Sequence, residues 1–97
     1  MIKIVDKIIY RNGEKIGWLR GNDIYNESGT KIGYYTSNDI YDHRGSKVAY
    51  LDGSYARMEN GHAPISLIES ERKIEGSGHS NLCKAAILVL LGDQKSF

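Results

Sequence analysis

One cysteine, one proline, one phenylalanine and one tryptophan occur in the 97 residues. Small secreted domains offset a thin core with paired cysteines, and the lone Cys83 cannot make an internal disulfide. Long apolar runs are missing too. The N-terminal stretch MIKIVDKIIY is interrupted by Lys3, Asp6 and Lys7, so it lacks the continuous apolar region of a signal peptide. The longest run, Ala85 to Leu91, is seven residues, far short of the ~20 that span a bilayer. No charge of either sign dominates. Thirteen basic residues face twelve acidic ones, for a formal net charge of +1. That argues against the basic footprint of a nucleic-acid binder and against a polybasic membrane patch. The expected setting is reduced and cytoplasmic, with neither nucleic acid nor membrane as partner.

What is present is a repeat. On a period of sixteen, without gaps, Gly13, Gly29, Gly45 and Gly61 coincide. Three positions later come Ile16, Ile32, Val48 and then Pro64; five positions later come Trp18, Tyr34, Tyr50 and Ser66. Lys15, Lys31 and Lys47 share a slot that ends in Ala63, and Ile8, Ile24, Ile40 and Ala56 precede the glycines by five. Each unit reads as a β-hairpin, because short apolar and aromatic runs flank turns ending in a glycine. Asn12-Gly13 and Asn60-Gly61 carry the strongest hairpin dipeptide, while Ser28-Gly29 and Arg44-Gly45 suit a type I turn closed by a left-handed glycine. A second set of turns at Gly21-Asn22, Ser37-Asn38 and Gly53-Ser54 joins one hairpin to the next.

A two-residue loop pairs Ile24 with Gly33 and Ile40 with Ala49 on one face, and Tyr25 with Ile32 and Tyr41 with Val48 on the other. A bulge at the turn would exchange the pairs. Pleat alternation sends Ile32 and Tyr34 to one face. Pro64 cannot donate to a ladder, so the last strand should be an edge or irregular.

Beyond Leu67 the repeat ends. The segment from Gly76 to Ser80 reads as a loop, and NLCKAAILVLL reads as a helix capped by Ser80 or Asn81 and stopped by Gly92. With Lys84 its only polar residue between Leu82 and Leu91, this helix needs burial on more than one face. The predicted organisation is a single domain over 1–97, with hairpin repeats over 4–67, a connector over 68–80 and a helix over 81–92. The fold class is mainly β: four hairpins of about sixteen residues around a pseudo-fourfold axis, plus one short apolar C-terminal α-helix that plugs or covers them.

Ile24-Tyr25 with Gly29-Thr30-Lys31-Ile32-Gly33-Tyr34, repeated as Ile40-Tyr41 with Gly45-Ser46-Lys47-Val48-Ala49-Tyr50, resembles the tandem units of the four-fold β-flower domains of bacterial proteins. The resemblance covers about two thirds of the chain and departs in the fourth unit. It implies a fold and carries over no catalytic residues.

Candidate chemistry is sparse. His79 and Cys83 lie four apart at the start of the helix, which is half of a zinc site without a second pair. They also make a conceivable thiol–imidazole couple, although burial in an apolar helix would quiet the thiol. The glycine-rich EGSGHSNL opens a helix and could offer backbone N–H groups to an anion, yet no βαβ unit surrounds it. Asp6, Asp23, Asp39, Asp42 and Asp52 are read as turn and surface residues rather than paired acids. Trp18, Tyr34 and Tyr50 share one slot and would form an aromatic ring if it faced the axis or a rim. The sequence therefore points first to a small non-enzymatic β-repeat module without cofactor. It would bind a protein partner or assemble with itself through the C-terminal helix. A carbohydrate- or choline-type ligand held by Trp18, Tyr34 and Tyr50 is the second reading, and a thiol enzyme using Cys83 and His79 the third.

Overall fold

Turn residues recurring every sixteen positions drive the chain back on itself. The computed structural model describes residues 2–76 and 78–91. Strands β1 (Ile2–Val5), β2 (Ile8–Arg11), β3 (Glu14–Arg20), β4 (Asp23–Asn26), β5 (Lys31–Thr36), β6 (Asp39–Asp42), β7 (Lys47–Asp52), β8 (Tyr55–Met58) and β9 (Ile65–Ser66) follow one another, each antiparallel to the next. Helix α1 (Leu67–Lys73) leads to β10 (Ile74–Glu75), which joins the other side of β1 in parallel. Helix α2 (Asn81–Leu90) ends the described chain. Mainly β, with ten strands in one sheet and two short helices, the architecture agrees with the predicted class.

Turn chemistry sets the register. Asn12 and Gly13 are both left-handed, at φ 53° and 85°, and close a two-residue hairpin that pairs Arg11 with Glu14. The next two turns are longer. Gly29 N–H donates to the Asn26 carbonyl and Gly45 N–H to the Asp42 carbonyl, each at 3.0 Å. In each, one side-chain oxygen accepts two backbone N–H groups: Asn26 Oδ1 from Ser28 and Thr30, Asp42 Oδ1 from Arg44 and Ser46. Asn60-Gly61 shares the dipeptide of the first turn but follows the wider pattern, with Gly61 donating to Met58 and only the glycine left-handed.

The shorter first loop shifts its own unit by one residue. The fully buried isoleucine there is Ile9, opposite Gly17, whereas the ungapped alignment places Ile8 in that slot. Elsewhere the predicted Ile24–Gly33 and Ile40–Ala49 pairs form. The predicted Tyr25–Ile32 and Tyr41–Val48 pairs do not: a bulge leaves Tyr25 opposite Lys31 and Tyr41 opposite Lys47. Ile32 and Val48 become the extra residues, and the pleat alternation breaks at them. Ile32 thus packs on the core, while Tyr34, flanked by inward Gly33 and Tyr35, faces outward; the two do not share a face.

Ten strands laid flat would span roughly 43 Å at ~4.8 Å per strand, but the molecule measures 30 × 29 × 28 Å. The sheet must curl. Its two outermost strands, β9 and β10, are separated in sequence only by α1, whose seven residues span about 10 Å. Helix α1 therefore bridges the seam of a strongly curled sheet. Residues 68–80, read from sequence as a connector, hold most of this helix and β10. The signal was present in Ser66-Leu67-Ile68-Glu69, a capping-box pattern. Ser66 Oγ accepts from Glu69 N–H at 3.4 Å, and buried Ser70 returns its hydroxyl to the Ser66 carbonyl at 3.2 Å.

Inside the curl lies α2. Ser80 is its N-cap, accepting from Cys83 N–H at 3.1 Å; Gly92, the predicted stop, lies outside the described residues. Cys83 to Leu88 are all buried. Six consecutive residues cover every side of a helix, so α2 is surrounded by the rest of the chain. At roughly 1.5–3 kcal/mol for each large apolar side chain, Ile87 and Leu88 alone contribute strongly to the core. Gly33 admits this helix: a Cβ there would sit 2.6 Å from Leu90 Cδ1 and would also collide with the Tyr41 carbonyl. The C-terminal end is tied back by Arg11, whose guanidinium donates to the Leu91 carbonyl at 2.9 Å. Among the described residues, no helix is long and apolar enough to cross a membrane.

Candidate functional site

The aromatic slot faces outward, not toward the helix-filled interior. Across the strands, Trp18 pairs with Tyr25 and Tyr34 with Tyr41. Both pairs stack, with centroids 5.6 and 4.9 Å apart and planes within 9° and 10°. The lysine slot completes the arrangement: Lys15, Lys31 and Lys47 place Nζ 4.9, 4.8 and 5.3 Å from the ring centroids of Trp18, Tyr34 and Tyr50. Lys31 also reaches Asp23 on β4 at 3.2 Å, and Lys47 reaches Asp39 on β6 at 3.8 Å. Tyr34 therefore stands between Tyr41 on one neighbouring strand and the Lys31–Asp23 pair beside the other. The turn glycines finish the packing. Trp18 lies against Gly29, and Tyr34 Oη against Gly45, with a glycine Cβ position 3.6 and 3.7 Å from them. Each ring is already occupied by its own neighbours, and a stacking ligand would have to displace them.

The thiol is enclosed. Cys83 is 1% exposed, and burial raises its pKa although a hydrogen bond from Tyr35 and the charge of Lys84 pull the other way. Burial, and after it the same contact, push the Tyr35 phenol upward. The hydroxyl that perturbs Cys83 is thus that of Tyr35, and among the described residues no hydrogen bond joins the thiol to His79. His43 is an exposed turn residue, and His62 is exposed just after the Asn60-Gly61 turn. Among the described residues, no group of three or more His, Cys, Asp or Glu side chains gathers as a metal site. Asp23 and Asp39 serve the lysines. Asp42 serves its turn, and the N–H bonds from Ser46 and Arg44 hold its carboxyl below the usual range.

The fourth unit is built differently. Tyr55 pairs with Ser66 at the register position where Asp23 meets Tyr34 and Asp39 meets Tyr50. Aromatic and polar partners have changed strands. The lysine slot holds Ala63, and among the described residues no stacked ring or cation covers Tyr55, which is 44% exposed. Beside it, Ile68 on α1 is 62% exposed, more than any other large apolar side chain among the described residues. Between Tyr55, Pro64 and Ile65 on one side and Ile68, Glu69, Arg72 and Lys73 on the other runs a groove of about 480 Å³. Reading the sequence by its repeats drew attention to the regular aromatic slot and missed this face. The signal was the break itself: Tyr for Asp at 55, Ser for aromatic at 66, Ala for Lys at 63.

A family model described as 4-fold beta flower protein matches residues 2–85. No curated protein and no solved structure matches the chain. The hairpin-rich sheet, the apolar terminal helix and this match over most of the sequence agree, and the chain belongs to the 4-fold β-flower protein family.

Proposed function

We propose that the protein is a small non-enzymatic interaction module: four hairpins around a common axis filled by α2, with the irregular fourth unit as the contact surface. The observation that carries this reading is the contrast in the aromatic slot. Trp18 and Tyr34 are stacked and all three regular units place a lysine over the ring, whereas Tyr55 and Ile68 stand exposed beside a groove. Exposed apolar side chains gathered at one place, rimmed by charge, have the composition of a protein contact. A cytoplasmic setting rests on the single, buried, unpaired cysteine. Regular chemistry by Cys83 is disfavoured by its burial, and sugar or choline stacking on Trp18, Tyr34 and Tyr50 by the occupancy of those rings.

In-cell photo-crosslinking tests the module reading. A benzoyl-phenylalanine placed at position 55 should yield a discrete protein adduct, to another protein or to itself, while one at position 34 should yield none. Equal labelling from both positions, or none from either, would contradict it.

A further inference from the structure

The groove beside α1 has features that select its occupant. Four of its residues, Ile68, Glu69, Arg72 and Lys73, occupy positions i, i+1, i+4 and i+5 and so share one side of the helix. The acid and the exposed isoleucine lie in the first turn, the two bases in the last. Glu69 has an exposed intrahelical partner in Lys73 at 4.0 Å, which contributes little by itself. Among the described residues, the Arg72 guanidinium has no hydrogen-bond or ion-pair partner. Strand addition is an unsuitable way to cover this edge. Pro64 offers no N–H and β9 has only two residues, so the edge is blunted against pairing. Contact here must run through side chains.

We propose that this face seats a second copy of the same chain, in a twofold dimer with the two α1 helices antiparallel; the proposal rests on the interaction-module reading above. A twofold contact requires a surface complementary to itself. Antiparallel α1 helices meet that requirement: the first turn of each lies against the last turn of the other, so Glu69 meets Arg72 across the axis. Ile68 of each copy then enters the space beside Tyr55 and Ile65 of the other. Helix α2, whose faces are buried within its own chain, takes no part. The patch is small, so the dimer is weak and forms in the micromolar range or above.

Sedimentation equilibrium of the full chain, from about 10 µM to about 1 mM, reads this directly. The expected mass rises from one chain toward two across that range. Ile68→Asp, at an exposed position, should keep its thermal melt and remain monomeric. Glu69→Arg and Arg72→Glu should each weaken dimerisation at least about tenfold, the factor set by ~1.4 kcal/mol. An equimolar mixture of the two should dimerise again, because both cross-axis contacts become complementary. A wild-type chain monomeric at every concentration would overturn the dimer, as would Ile68→Asp dimerising like wild type. Should the chain stay monomeric while position 55 still crosslinks to a different protein, the dimer fails and the interaction module stands. Should neither occur, both fail.

Discussion

Units two and three of the repeat spend their side chains on themselves, and unit four does not. In the second unit, Tyr34 is stacked by Tyr41, covered by Lys31 and flanked by Asp23. In the third, Tyr50 has Lys47 over its ring, and Lys47 is held by both Asp39 and Glu59 at 3.8 Å. In the fourth, the same slot holds Ser66, whose hydroxyl caps α1 instead. The aromatic residue has moved to Tyr55, where nothing among the described residues stacks on it. One backbone pattern thus supports two uses of an aromatic side chain. Where neighbours saturate the ring, it stiffens the outer surface of a curled sheet. Where the sheet ends and a helix crosses the seam, the saturating partners are gone and apolar surface is left over.

The units differ most in the core-facing slot, where substitution should have the largest effect. Gly33 and Ala49 are equivalent, yet Gly33 lies under Leu90 of α2 and against the Tyr41 carbonyl. Gly33→Ala should therefore lose about 2–3 kcal/mol, read as a lower urea midpoint, because backbone and a packed leucine must both yield. Ala49→Gly should lose only about 1 kcal/mol, from strand entropy and one lost methyl. Equal and small losses would mean that α2 does not press on β5.

Much of this was legible in the sequence for a physical reason: strand pairing and turns are local. The Ile24–Gly33 and Ile40–Ala49 pairs, the left-handed Gly29 and Gly45 and the Ser80 cap all follow from residues near one another in the chain. The one-residue slip at Ile8 and Ile9 was not legible by ungapped alignment, since a two-residue and a wider turn contain the same glycine. Nor was the face of Ile32, which a single bulge residue decides. Helix α1 was hidden because seven residues carry too little periodicity, leaving only Ser66 and Glu69 to announce it. Trp18, Tyr34 and Tyr50 drew attention because they repeat, whereas Tyr55 and Ile68 matter because they break the repeat. Their exposure depends on the sheet curling to bring β9 and β10 to either end of α1, a long-range consequence no local pattern states.

A smaller effect separates the turns of the units by pH. Asn26 and Asp42 hold the same post, where Met58 stands in the fourth unit, and of the three only Asp42 titrates. Its folded pKa is depressed, so its contribution is present above the unfolded carboxylate value of about 3.9 and is lost as pH falls through the folded value. Asp42→Asn keeps the acceptor and removes the proton. Between about pH 4 and pH 2 its melting temperature should fall less steeply than that of wild type. Parallel curves would show that the bonds to Ser46 and Arg44 add nothing specific to the charged form.

The central claim, that regular aromatic positions support the fold and the irregular one supports contact, is tested most directly by two truncations read two ways. Tyr34→Ala and Tyr55→Ala are compared by thermal unfolding and by crosslinking from a photo-reactive residue at position 73, which lines the same groove. Tyr34→Ala should lose about 1–2 kcal/mol of stability, from the stack and the lysine contact, and keep its crosslink. Tyr55→Ala should stay within about 0.5 kcal/mol of wild type, as exposed positions do, and lose most of its crosslink. The reverse assignment, or two variants that lose stability and crosslink together, would contradict it.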